Sequence, residues 1–177
     1  MAVLKIVKLG APVLRQIAES VPPDTIGTRA FQQFLDDMLE TMVAADGIGL
    51  AAPQVSHSEQ VLVMECKGEE HGFPQTIMIN PTIVGLSPVT AEGWEGCLSV
   101  DGLRGKVKRA VGVRVKFLDR DGKPVELDAS GLYAICVQHE IDHLQGKLFL
   151  DRMTDLSTLT QIEEFDQYWR TDSVEVI

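Results

Sequence analysis

The stretch Gly131-Leu132-Tyr133-Ala134-Ile135-Cys136-Val137-Gln138-His139-Glu140-Ile141-Asp142-His143-Leu144-Gln145-Gly146 decides the reading of this chain. It reads as one helix, and within it His139 to His143 spell H-E-x-x-H. Residues four apart share a helix face, with Cβ atoms about 5–6 Å apart, so His139 and His143 can hold one divalent metal ion. Glu140, one step round, can reach a water on that ion. This is the apparatus for metal-assisted attack of water on a carbonyl. Three fixed letters in five can arise by chance, so the rest of the chain must supply the context.

A catalytic centre of this kind uses three protein ligands and leaves one position open. The longer pattern H-E-x-x-H-x-x-G-x-x-H fails here, because Gly146 fits but Phe149 stands where the third histidine belongs. The other histidines, His57 and His71, lie in polar, loop-like stretches and read as surface residues. Glu163 or Glu164 downstream can serve as a carboxylate ligand. Among the three cysteines, Cys66 ends the apolar run Val61-Leu62-Val63-Met64 and Cys136 lies in Tyr133-Ala134-Ile135-Cys136-Val137. Both read as small buried hydrophobes. Cys97 sits in the Gly-flanked segment Gly93-Trp94-Glu95-Gly96-Cys97-Leu98-Ser99, where a thiolate can face a cleft.

Three segments taken together, Gly47-Ile48-Gly49-Leu50-Ala51-Ala52-Pro53-Gln54, Glu95-Gly96-Cys97-Leu98-Ser99 and Gln138-His139-Glu140-Ile141-Asp142-His143, strongly resemble the motifs of the peptide deformylase family, in the same order. The resemblance runs from about Val3 to about Met153. It implies Cys97, His139 and His143 as metal ligands and Glu140 as the catalytic carboxylate. Gln54 and the backbone N–H of Leu98 are the implied oxyanion donors. A pocket for the methionine side chain is implied at Ile48, Leu132, Ile135, Cys136 and His139, with Gly49 and Gly96 beside the bound peptide. Glu95 and Arg109 match a supporting charged pair, and Arg104 a position near the peptide. The implied reaction is hydrolysis of the N-formyl group from formyl-methionyl peptides of newly made chains, releasing formate. The implied metal is iron(II) in the cell, with zinc, nickel or cobalt possible after purification; this donor set does not choose among them by affinity alone.

The chemistry is consistent with the residue types. A thiolate and two neutral imidazoles leave a 2+ ion with net positive charge. A carboxylate beside it can take a proton and later hand it to a leaving amine. Preorganised N–H donors for the developing oxyanion are each worth about 2.7–4 kcal/mol. Glycines 47 and 49 permit close backbone approach, which suits an extended peptide.

At 177 residues, with 45% hydrophobic and 24% charged residues, the chain reads as a single domain over 1–177 with a sizeable core. No apolar stretch is long enough for a membrane span. Lysines interrupt the N-terminal apolar residues, which argues against a secretory signal. Few cysteines, one of them a candidate metal ligand, point to a reducing compartment. A bacterial cytoplasm fits, and the reading leaves room for an organelle form after removal of a transit peptide. The formal charge of −10 offers no general attraction to nucleic acid, and the basic run Arg104–Arg109 is too short to change that expectation.

Apolar residues at Phe31, Phe34, Leu35, Met38, Leu39, Met42 and Val43 predict an amphipathic helix over 28–45. A short helix is expected over 12–19. Strands are expected over 61–66, 76–80, 83–86, 111–117 and 123–127, with Pro81 breaking the middle pair and Asp119–Gly122 turning the last. A C-terminal helix is expected over 156–169. Helices with antiparallel hairpins and no βαβ alternation indicate an α+β fold, with antiparallel sheets packed around a central metal-binding helix.

Asp101 and Lys108 depart from the family pattern, which commonly has proline at both positions; each loses a backbone constraint. The C-terminal residues 151–177 carry seven acidic and two basic side chains. A basic C-terminal helix docks on ribosomal RNA in some bacterial relatives, and phosphate would repel this acidic one, so ribosome docking is not expected. Two rival functions follow from weaker subsets of these features. An internal-bond metallopeptidase rests on H-E-x-x-H alone and would cleave casein. A peptide-binding module with a structural metal would need a fourth protein ligand and would leave Glu140 without a task.

Overall fold

The computed structural model describes residues 2–68 and 71–170. A 3-10 turn at Pro12–Arg15 is followed by the four-residue helix α1 (Pro23–Ile26) and then α2 (Arg29–Ala44). The Thr28 hydroxyl caps α2 by accepting from the Phe31 N–H at 3.3 Å. Phe31, Leu35, Met38 and Met42 form its buried stripe. Val43, expected on that stripe, is 54% exposed, because it lies about 100° round the helix from Met42. The short helix expected over 12–19 stops at Arg15. Beyond it the backbone is extended, and tertiary bonds replace helical ones: Ala18 N–H donates to Leu144 O at 2.9 Å and Glu19 N–H to Ser58 O at 2.7 Å.

The strands are β1 (Gly49–Ala51), β2 (Val61–Cys66), β3 (Phe73–Leu86), β4 (Thr90–Cys97), β5 (Val100–Ala110), β6 (Gly112–Leu118), β7 (Pro124–Ser130) and β8 (Thr160–Gln161). Strands β1-β2-β3-β6-β7 form one antiparallel sheet and β4-β5-β8 a second. Pro81 does not break β3. The pairing with β6 shifts between Ile79 and Thr82, and Asn80 at φ 52° absorbs the irregularity as a bulge. The side chain of Asn80 bonds Val21 in both directions, at 2.8 and 2.9 Å, which fixes that kink.

Helix α3 (Gly131–Leu144) is buried on nearly every side, as a helix enclosed by other elements must be. It packs against β1, β2, β5, β6 and β7. Its Gln138 side chain bonds both backbone groups of Ala110, at 3.2 and 2.9 Å, pinning the helix to the end of β5. The C-terminal helix is shorter than expected. Residues 156–158 form a 3-10 turn, β8 pairs with Leu103 and Arg104 of β5, and only α4 (Ile162–Tyr168) is helical. The open edge of β5 draws Thr160–Gln161 into a ladder that helix would forfeit. Fully buried Phe165 meets Trp94 of β4 edge-on at 5.0 Å. Mixed helix and antiparallel sheet around a buried central helix is the α+β class that the sequence indicates.

Candidate metal centre and active site

Two structures meet at the centre. Helix α3 presents His139 and His143 from successive turns, with ring centroids 5.0 Å apart. The tight turn between β4 and β5 presents Cys97, whose Sγ lies 3.4 Å from His143 Nε2. The ligating atoms of Cys97, His139 and His143 all lie within 4.8 Å of one another. Soft thiolate with two imidazoles fits zinc or a late first-row divalent ion, so the donor set suits a metal. Among the described residues this is the one such cluster. Glu163 and Glu164, candidate ligands from sequence, lie on α4 outside it. His57 stacks on Phe34 at the surface and His71 is exposed, so neither joins the centre.

The charges behind the centre orient it. His139 Nδ1 bonds Glu95 Oε2 at 2.9 Å, which leaves Nε2 to face the cleft. Arg109 grips Glu95 through two bonds, at 2.8 and 3.0 Å, and reaches Asp142 at 2.5 Å. Arg152 completes the chain on Asp142. Burial opposes ionisation of Glu95, but its bonds to Arg109 and His139 outweigh this and bring its carboxyl down to about 2. Burial also disfavours charge on His139, yet its contacts with Cys97 and Glu95 raise it well above the usual imidazole range. A metal ion at Nε2 would take the place of that proton.

Glu140 lies beside the ligands, 3% exposed, with Oε2 buried and without a partner among the described residues. Burial, reinforced by the charge of Glu95, raises its carboxyl to about 7, although His139 pulls the other way. A nearby cation would draw that value down. The carboxylate fits because residue 49 is glycine: a Cβ there would stand 2.4 Å from Glu140 Oε1.

Gln54 sits on a 3-10 turn over Ala52–Val55. Its Oε1 accepts from Ala51 N–H at 2.8 Å, so Nε2 turns to Cys97 Sγ at 3.6 Å and Ser99 Oγ at 3.3 Å. The N-terminal strap ties this side together. Val7 N–H donates to Gln54 O, and Leu9 N–H to Ser99 O. Lys8 Nζ bonds Leu98 O at 2.8 Å and Asp101 at 2.7 Å. Asp101 thus partners a lysine across the turn.

Ile48, Gly49, Gln54, Gly96, Cys97, Leu98, Arg104, His139 and Glu140 line one cavity of about 370 Å³. Leu132 is buried in the core around α3 and Ile135 is half-buried on the same helix; neither lines this cavity. The sequence reading missed Asp142 and Arg152 in the charged chain, and Arg170 on the cavity wall. The i, i+3 spacing of His139 and Asp142 was the available signal for the first; nothing local marked the others.

A Cys–His–His donor set beside a buried, unpartnered carboxylate defines the centre of a metal-dependent hydrolase. The sequence model for polypeptide deformylase matches residues 3–158. A peptide deformylase of Pseudomonas syringae pv. tomato is 49% identical over 156 residues, covering 88% of this chain and 90% of that protein. One from Leptospira biflexa is 42% identical over 174 residues, covering 94% and 96%. A Met-Ala-Ser-bound class I type b peptide deformylase from Acinetobacter baumannii superposes with TM-score 0.82 at 38% identity, over 86% of this chain and 99% of its own. The chain belongs to the polypeptide deformylase family, and it is a metal-dependent hydrolase that removes the N-formyl group from nascent peptides.

Proposed function

We propose that the residues of the cavity divide this hydrolysis among them as follows. Cys97, His139 and His143 hold one divalent ion, iron(II) in the cell and exchangeable for zinc, nickel or cobalt, which supplies Lewis acidity to water and to the formyl oxygen. Glu140 takes the proton of the attacking water and returns it to the leaving amine. Gln54 Nε2 and the Leu98 N–H donate to the carbonyl oxygen as it gains charge. The peptide lies along Ile48–Gly49 and Gly96, with its methionine side chain beside Ile48 and His139, which line the cavity, and Arg104 beside the following residues. The Acinetobacter relative holds a Met-Ala-Ser peptide, which supports this use of the cleft. The whole chain acts as one catalytic domain in the bacterial cytoplasm. No helix among the described residues is long and apolar enough to cross a membrane.

The observation that carries the proposal is the buried, unpartnered Glu140 Oε2 beside three converging metal donors. Structure alone gives that carboxylate no work. Replacing Glu140→Gln keeps the size and shape of the side chain but puts an amide donor in place of one acceptor oxygen and removes the base. It should retain one metal per chain and lose about 10²–10⁴-fold in turnover of a formyl-Met peptide; unchanged turnover would remove Glu140 from the role. We also propose that the acidic C-terminus does not anchor the enzyme to ribosomes. Residues 171–177 of that segment lie outside the described residues. Salt-sensitive co-sedimentation with ribosomes that disappears on truncation before Asp151 would contradict this.

A further inference from the structure

We propose that Arg170 joins Arg104 in a carboxylate-recognising wall that favours formylated peptides bearing an acidic group within the first residues after methionine. The inference rests on the deformylase reading and specifies its substrates. Both arginines line the same cavity as Cys97, His139 and Glu140. The family match ends at residue 158, so Arg170 comes from a segment beyond it.

Residues 160–170 are anchored on the second sheet. β8 pairs Thr160 with Arg104 itself. Phe165 is fully buried against Trp94, and Trp169 lies 5.8 Å from the same indole. Arg170 follows directly, aligned by Asp166 at 3.0 Å and by the Phe165 ring 5.8 Å below its guanidinium.

Arg104 is short of partners. Its guanidinium lies over Gly96, where a Cβ would stand 2.1 Å from Nη1. Among the described residues, Nη1 bonds only the carbonyl of Leu103, and Nε is buried with no partner. Burial, then the neighbouring charge of Arg170, weakens its hold on its proton. Of the described acids near this wall, Asp101 is taken by Lys8 and Asp166 by Arg170. Exposed Asp46 also borders the cavity and sets an opposing negative edge. Two guanidiniums in one wall, one of them without an acidic partner among the described residues, match the planar fork of a carboxylate. The carboxylate can be an Asp or Glu side chain or the C-terminus of a short peptide.

The test measures kcat/KM for formyl-Met-Ala-Glu, formyl-Met-Ala-Lys and formyl-Met-Ala-Ala as C-terminal amides, and for the last also as the free acid. Wild type should favour the glutamate over the lysine peptide by about two- to fivefold, the scale of a partly screened ion pair, and less at high salt. The ratio should fall toward one in R170A, invert in R170E and return in R170K; taking the ratio within each variant cancels any general loss of activity. Preference for the free acid without preference for glutamate would also support the wall, and would assign it to the peptide terminus. Turnover with no charge preference, or a preference unmoved in R170E, would overturn this inference alone. No turnover of the neutral amide by metal-loaded wild type would overturn the deformylase reading and this inference with it.

Discussion

Gly49→Ala tests the placement of Glu140 without touching a metal ligand. Gly49 of β1 pairs with Met64 of β2, and its backbone is outside the left-handed region, so alanine brings no backbone strain. The added methyl would stand 2.4 Å from Glu140 Oε1, 2.8 Å from its Cδ and 2.9 Å from Cys136 Sγ. An ordinary contact begins at 3.4 Å, so the carboxylate oxygen must retreat by about 1 Å. Cys136 is fully buried and blocks the methyl from slipping sideways. A displacement of about 1 Å at a reacting group costs about 10²-fold, equivalent to about 2.7 kcal/mol of barrier. Overpacking should cost about 1–3 kcal/mol of stability. Formate release, metal content and urea unfolding separate the effects. The expected outcome is one metal per chain, a folded protein, and kcat/KM down about 100-fold. Metal-loaded G49A within about twofold of wild type would refute the claim that Glu140 works from its observed position.

Arg109→Ala would leave Glu95 and Asp142 buried without their shared cation. Loss of about 3–5 kcal/mol by chemical denaturation is expected, and a loss under about 1 kcal/mol would show the network to be dispensable. Cys97→Ser replaces a thiolate with a hydroxyl that stays protonated; metal analysis after gel filtration should find most of the ion gone, and full occupancy would exclude Cys97 as a ligand. Leu35→Ala, at a position with 0% exposure, should cost about 2–5 kcal/mol with no change in KM, measured by urea unfolding and steady-state kinetics. Chelation should lower the melting temperature and re-addition of metal restore it; an unshifted transition would mean that the ion contributes nothing to folding.

The metal helix was legible because H-E-x-x-H is a local pattern and α3 keeps the two histidines one turn apart in any context. The α2 stripe was legible for the same reason. Cys97 was different. Its neighbours suggested a cleft, but its approach to His143 depends on the β4–β5 turn, which no local periodicity announces; the family resemblance supplied that ligand. Where residues answer to distant partners, the sequence misled. The segment after Arg15 is extended because Ala18 and Glu19 find donors and acceptors far along the chain. β3 runs through Pro81 because a bulge at Asn80, tied to Val21, removes the conflict. The C-terminal helix shortens because β5 has an open edge. Arg170 reaches the cavity only through that last rearrangement.

The most direct test is formate release from a formyl-Met tripeptide by anaerobically prepared, iron-reconstituted protein, with the acetyl-Met analogue alongside. The account predicts rapid turnover of the formyl peptide and none of the acetyl one, since the acyl carbon must fit between Cys97, Glu140 and Gln54. Metal bound at one per chain with no formate released would contradict it.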